Sequence, residues 1–232
     1  MKESDFMEKI EILHEDKDII VCIKPVGISS QENDDGSESM VSLLKEHLSK
    51  EQKAPYIAVL HRLDVGVGGV MVYAKTKNAA AKLSAQIADK DLFKKQYLAA
   101  VCGKPEEKSG EYTDLLFKDT HLSKSFVVDK ERKGVKKATL LYELLEYNEK
   151  ENLSLVRITL VTGRTHQIRV QFSSRKMPLS GDRKYGAKDG RHKIGLFSHS
   201  ISFVHPTTGK QLSFSAFPKK DGEVFDNFTT EF

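Results

Sequence analysis

Short apolar runs alternate with polar, turn-rich segments along this chain, and the spacing inside each run predicts its element. EILHEDKDIIVCIKP at 11–25 predicts a strand, an Asp-rich turn and a second strand closed by Pro25, which cannot donate to a sheet ladder. After the polar loop GISSQENDDGSES, the apolar positions from Met40 to Leu48 recur at helical spacing. Tyr56 to Leu60 reads as a strand that delivers HRLD at 61–64, and Gly66, Gly68 and Gly69 make a glycine-dense turn. VMVYAKT is β-branched and apolar enough for a buried strand. Thr76 is placed to cap a helix KNAAAKLSAQIADK, and KKQYLAAVCG at 94–103 returns to strand character.

Beyond Lys104 the pattern loosens into a loop-rich middle, with strands predicted at 125–128, 139–146 and 153–160. The last alternates Leu153, Leu155, Arg157 and Thr159, so one of its faces is wetter. Residues 162–164 predict a turn into a short helix at 165–173, with Thr165 as its cap. A loop at 177–193 then leads to the strands LFSHSISF and QLSFSAF around the turn HPTTGK. No repeat, heptad run or Gly/Ser/Pro linker divides the chain. The expectation is one α+β domain over 1–232, with a mixed, mostly antiparallel central β-sheet flanked by helices and loops.

Composition narrows the class. Of 232 residues, 39% are apolar and 30% charged, too polar for a membrane protein. The apolar stretch from Val65 to Ala74 is only half of the roughly 20 residues that a spanning helix needs. The amino terminus alternates charges where a signal peptide requires an apolar run, which places the protein in the cytoplasm. Cys22 and Cys102 lie in apolar, strand-like stretches away from any second Cys, as expected of buried free thiols. The net charge of +4 conceals a polarity: residues 1–51 carry six Lys/Arg against thirteen Asp/Glu, and residues 164–194 carry nine Lys/Arg against Asp182 and Asp189. KERKGVKK at 130–137 is a second basic stretch, read as an exposed loop around Gly134. Two basic stretches in the same half of the chain raise nucleic acid as a partner, although either alone is ordinary solvated surface.

The common catalytic templates are missing. There is no GxxxxGK[ST], GxGxxG after a strand, HExxH or GxSxG, and the eight histidines match no common zinc spacing. Two segments remain. TGRTHQIR at 162–169 ends a strand and opens a helix, which puts Arg164 and His166 at the positive helix end, where a cation needs an anion opposite. HRLD sets Asp64 before a glycine turn that exposes it. By spacing alone Asp64 is an ordinary turn aspartate. Held beside an arginine, however, it is a carboxylate able to act as a nucleophile.

HRLD with its glycine turn and VMVYAKT, then KKQYLAAVCG, ATLLYELLE, LSLVRITLVTGRTHQIRVQF, PLSGDRKYG and FVHPTTGKQLSF resemble, in that order, the catalytic domain of RNA pseudouridine synthases of the RluA family. The resemblance runs over about 12–217. It implies the pseudouridine synthase fold, isomerisation of uridine to pseudouridine in structured rRNA or tRNA, and no metal or organic cofactor. The S4-type RNA-binding domain that precedes the catalytic domain in many relatives is not expected, because the opening strands begin by about residue 10, and a monomer is expected. By motif, Asp64 is the essential carboxylate, Arg164 its partner, and Tyr97 the tyrosine that stacks on the target base. Arg62 fills the RNA stack vacated by the flipped uridine, with His61 and Arg169 of the same two motifs also on the RNA. Lys133, Lys136, Lys137, Arg175, Lys176, Arg183 and Lys184 of the basic stretches would contact phosphates. One departure stands out: Val67, Gly68 and Gly69 replace the family's usual Thr-Ser-Gly or close variant. The loss of two hydroxyls beside Asp64 leaves open a binding or folding factor without catalysis, and a glycosidase releasing uracil is a third, remoter reading.

Overall fold

The computed structural model describes residues 10–50, 52–89, 91–219 and 223–230. Residues 1–9, half of the amino-terminal segment whose charge pattern is read against a leader, lie outside the described residues. The elements are β1 (Glu11–Glu15), β2 (Ile19–Lys24), α1 (Met40–Leu48), β3 (Ala58–Val59), β4 (Gly68–Ala74), α2 (Lys77–Ala88), β5 (Lys94–Cys102), β6 (Ser109–Asp119), β7 (Lys124–Val128), β8 (Val135–Asn148), β9 (Leu153–Leu160), α3 (Gln167–Ser174), β10 (Leu196–Val204) and β11 (Gln211–Ser215). Two short 3-10 turns, Arg183–Tyr185 and Val224–Asn227, complete them. The chain divides into two compact units, Met1–Lys95 with Ser198–Phe217, and Gln96–Phe197 with Pro218–Phe232.

The first unit orders its strands β1-β2-β4-β10, with β3 on β4 and β11 on β10. Its core gathers Ile19, Val21, Val70, Val72, Ile201 and Phe203 against Ala79, Leu83 and Phe93. These strand residues alternate, so one face of the pleat meets the apolar face of α2. Ser39 caps α1 through a full capping box with Ser42, and Thr76 Oγ1 accepts from the Ala79 N–H at 3.1 Å to start α2, as the sequence predicts.

The second unit orders its strands β5-β9-β8-β6-β7, all antiparallel in their recorded pairings. Leu98, Ala100, Leu153 and Leu155 pack with Val224, Phe225 and Phe228 in one core cluster, and Leu116, Ala138, Val170 and Tyr185 form another. The mixed, mostly antiparallel architecture matches expectation in class, with two differences in detail. β6 occupies what the sequence presents as loop. β8 starts at Val135, so Lys136 and Lys137 stand on a strand and not in a loop. Both thiols are free: Cys22 is buried, which pushes its pKa up to about 12, and Cys102 is half-buried.

Candidate active site

Asp64 stands half-buried in a turn of the first unit that is fastened from several sides. The Val67 N–H donates to the Asp64 carbonyl at 2.9 Å and closes the turn. Before it, the Leu63 N–H donates to Ser30 Oγ at 3.0 Å; after it, the Gly27 N–H donates to the Val65 carbonyl at 2.8 Å. Leu63 and Val67 flank the turn as buried anchors, 7% and 2% exposed. A carboxylate on such a frame is pre-positioned, which reacting groups require.

The same packing explains the departure at 67–69. Val67 points into the core. A Cβ on Gly69 would lie 2.3 Å from the Ser198 carbonyl oxygen, and its φ of +123° belongs to glycine; a Cβ on Gly68 would lie 3.1 Å from the Lys24 carbonyl. The glycines let β2 and the Ser198 backbone approach the Asp64 turn, a structural role that needs no hydroxyl.

Arg62 is exposed, and its Nη1 donates to Gln31 Oε1 at 3.0 Å. Its neighbour His61 corrects the sequence expectation of an RNA contact. It is buried, its Nε2 accepts the Val72 N–H at 3.3 Å, and Phe93 meets its ring edge-on. Burial and the nearby Lys95 charge hold its pKa down at about 3, so it is a neutral core histidine.

In the second unit, Tyr97 is buried on β5 opposite Ile158 of β9. Arg164 is exposed, and its Nε donates to the Lys137 carbonyl at 3.1 Å. Its loop is tied to β8 by a polar knot. Gln167 Oε1 accepts from Thr162 Oγ1 at 2.8 Å and from the Arg164 N–H at 3.0 Å, and Gln167 Nε2 donates to the Thr139 carbonyl at 3.0 Å. Gln167 and Thr162, which sequence reasoning passed over, thus fix the backbone that bears Arg164. The expected Thr165 cap is not used; His166, at φ +53°, occupies the cap position without a side-chain bond to the helix N–H groups, and its Nδ1 lies 2.9 Å from the Tyr185 hydroxyl.

Arg169 is a second correction. It is buried in a two-pronged pair with Asp182, Nε to Oδ2 at 2.7 Å and Nη2 to Oδ1 at 2.8 Å, so its guanidinium is engaged inside the protein and not presented to RNA. Arg175 pairs with Asp114 at 2.9 Å and covers the Tyr112 ring at 3.9 Å, which ties up its guanidinium. Lys133, Lys136, Lys137, Lys176, Arg183 and Lys184 are exposed, with Arg183 Nη2 at 3.0 Å from His192 Nδ1.

One group among the described residues resembles a metal site: Asp16, Asp18 and His205 bring potential ligand atoms within 4.8 Å of one another. The hydrogen bonding argues against that use. His205 Nδ1 accepts the N–H groups of Thr207 and Thr208 at 3.1 and 3.0 Å, so the ring proton sits on Nε2 and donates to Asp16 Oδ2 at 2.8 Å. Burial pushes Asp16 up, but the N–H groups of Asp18 and Ile19 and the two histidines outweigh it and hold the carboxyl far below its usual range. The cluster ties β1 to the β10–β11 turn.

The family profile described as RNA pseudouridylate synthase matches residues 18–174, most of the chain and both motifs. The chain belongs to this family. It is 33% identical over 207 residues to the uncharacterized RNA pseudouridine synthase YhcT of Bacillus subtilis, covering 88% of this chain and 67% of that protein. It is 32% identical over 214 residues to the dual-specificity RNA pseudouridine synthase RluA of Pasteurella multocida, covering 90% of this chain and 93% of that one. The fold is shared with human RNA pseudouridylate synthase domain containing 1, at a TM-score of 0.75 and 20% identity, over 94% of this chain and 86% of that structure. Family membership makes the chain an isomerase of RNA, of the RluA type. Among the described residues, no helix is long and apolar enough to cross a membrane.

Proposed function

We propose that this protein converts specific uridines of structured rRNA or tRNA to pseudouridine, with Asp64 as the reacting carboxylate. In the conversion the bond between N1 and C1′ breaks, a bond from C5 to C1′ forms, and the C5 proton is lost as N1 gains one. Atoms are conserved, so the reaction needs neither water nor a redox partner. Ordinary glycosidases deploy two carboxylates because one must activate water; an isomerase does better with one carboxylate in a site that excludes it.

Arg164 pairs with Asp64 in this reading, Tyr97 stacks on the uracil and stands by for proton removal at C5, and Arg62 fills the gap left by the flipped nucleotide. Flipping is obligatory, since a stacked base cannot present its glycosidic bond to a carboxylate. Lys133, Lys136, Lys137, Lys176, Arg183 and Lys184 neutralise phosphates, and recognition rests on RNA shape and unstacked bases. The protein works as a monomer in the cytoplasm without a cofactor. The observation that supports the reading best is the fastened Asp64 turn, whose unusual glycines serve packing and therefore give no ground for a lost activity.

The test is Asp64→Asn, assayed on RNA from cells lacking the gene by carbodiimide-stalled reverse transcription. The variant should fold, bind RNA as wild type does and lose about a thousandfold or more in rate, the scale seen when a nucleophile is removed. Normal turnover would show that another group does the chemistry.

A further inference from the structure

Where β6, β7 and the start of β8 run side by side, the sheet is apolar on both faces, which is unusual for an antiparallel sheet with solvent on one side. One face is accounted for. Leu116, Val127 and Ala138 pack with Val170 of α3, and the buried Ser125 donates to the Thr165 carbonyl at 2.7 Å. Residues one step along each strand point the other way. On that side the register sets two rows across β8, β6 and β7: Val135, Phe117 and Phe126, then Lys137, Leu115 and Val128. The five apolar members are half-buried, and Lys137 is exposed. Both phenyl rings already attract cations. The Arg132 guanidinium lies 4.7 Å from the centre of the Phe117 ring, and Lys124 Nζ lies 5.6 Å from that of Phe126 and 5.0 Å from that of Tyr185. Residues 124–137 carry six Lys/Arg against Asp129 and Glu131, so the occupant that complements this face is an anion with flat apolar groups.

We propose that the Phe117–Phe126 face is a stacking platform for unpaired bases of the substrate RNA, with Arg132, Lys124 and Lys137 on the phosphates between them. The inference rests on RNA being the substrate and deepens that reading by naming unpaired nucleotides as what this surface takes. A guanidinium stacked on a ring keeps its second face and its N–H groups for a base and a phosphate, so Arg132 need not leave Phe117 when RNA arrives. Lys137 links the platform to the motif loop, because its carbonyl accepts from Arg164 Nε at 3.1 Å. From there β7 is about 10 Å away, two interstrand spacings. Stacking is tolerant of base identity, so the platform holds the strand without reading its sequence.

Two measurements test this on a stem-loop RNA with a loop of seven uridines. Phe117→Leu and Phe126→Leu keep apolar bulk and remove the ring; each should weaken Kd by about tenfold, the scale of one lost stacked base. The slope of log K against log salt should stay at the wild-type value, because no phosphate contact is removed. Wild-type affinity in both folded variants, a slope that falls with them, or a wild type that does not bind the probe overturns the proposal. The second measurement uses the absence of tryptophan from the chain. Phe126→Trp keeps an aromatic face and supplies a single fluorophore, whose emission should be quenched as the stem-loop saturates the protein. Unchanged emission at saturation overturns the platform even if a leucine variant fails to fold. Pseudouridine formation is assayed apart from both. A wild type that binds and shows the ring effects but forms no pseudouridine in any RNA offered defeats the enzymatic reading alone; an active enzyme indifferent to the rings defeats the platform alone.

Discussion

At the scale of single residues, the two sequence motifs separate into groups that face solvent and groups that hold the frame. HRLD was legible as a whole, but only tertiary contacts show that His61 is a core residue while Arg62 is exposed. Because His61 has a pKa near 3 in the fold against 6.5 unfolded, the unfolded chain binds the extra proton in between. Its contribution to stability is complete above pH 6.5 and lost as pH falls towards 3. Between pH 6.5 and about 4.5, before carboxylates titrate, stability should fall with a slope approaching 1.4 kcal/mol per pH unit, and His61→Gln should flatten it. Urea unfolding at a series of pH values checks this; identical slopes would assign the loss elsewhere. Gly69 is the second diagnostic residue. Gly69→Ala forces a side chain into φ +123° against the Ser198 backbone and should cost more than about 1 kcal/mol in the same urea assay. A variant as stable as wild type would mean that the Ser198 backbone yields.

At the scale of elements, the sequence succeeds where local signals and packing agree. Met40–Leu48 begins with Ser39 and repeats apolar positions at helical spacing, and α1 has those bounds. α2 begins at its Thr76 cap; Thr76→Ala should cost about 1 kcal/mol, a melting-temperature loss of about 2–4 °C for a chain of this size. Calorimetry reads it directly, and an unchanged transition would show that the cap is redundant. β6 is where the local signal fails. Its SGEYTDLLFKD lacks clean alternation, yet it pairs with both β7 and β8, and those ladders supply what propensity does not. The short helix of TGRTHQIR is placed correctly to within two residues, but its start is organised by Gln167, Thr162 and Thr139 and not by Thr165. The partner Thr139 lies on β8, out of reach of any local rule.

At the scale of the molecule, charge was counted along the chain, and the fold redistributes it. Of the nine cations at 164–194, Arg169, Arg175, Arg191 and Lys193 are in ion pairs with Asp182, Asp114, Glu151 and Glu223. The effective basic surface is therefore smaller than the sequence balance, and Lys133, Lys136 and Lys137 weigh more in it. Replacing those three by alanine should reduce the slope of log K against log salt for RNA binding by about 2, at roughly 0.7 per phosphate contact. An unchanged slope would remove them from the interface. The sequence by itself determined the family, the order of elements apart from β6, the class of sheet and the position of Asp64, because ordered motifs and apolar periodicity are properties of the chain read locally. Only the tertiary structure decided which motif residues are buried and why glycines follow Asp64. Those outcomes depend on contacts between segments distant in sequence, such as Gly69 with Ser198 and Gly68 with Lys24, whose close approach no periodicity records.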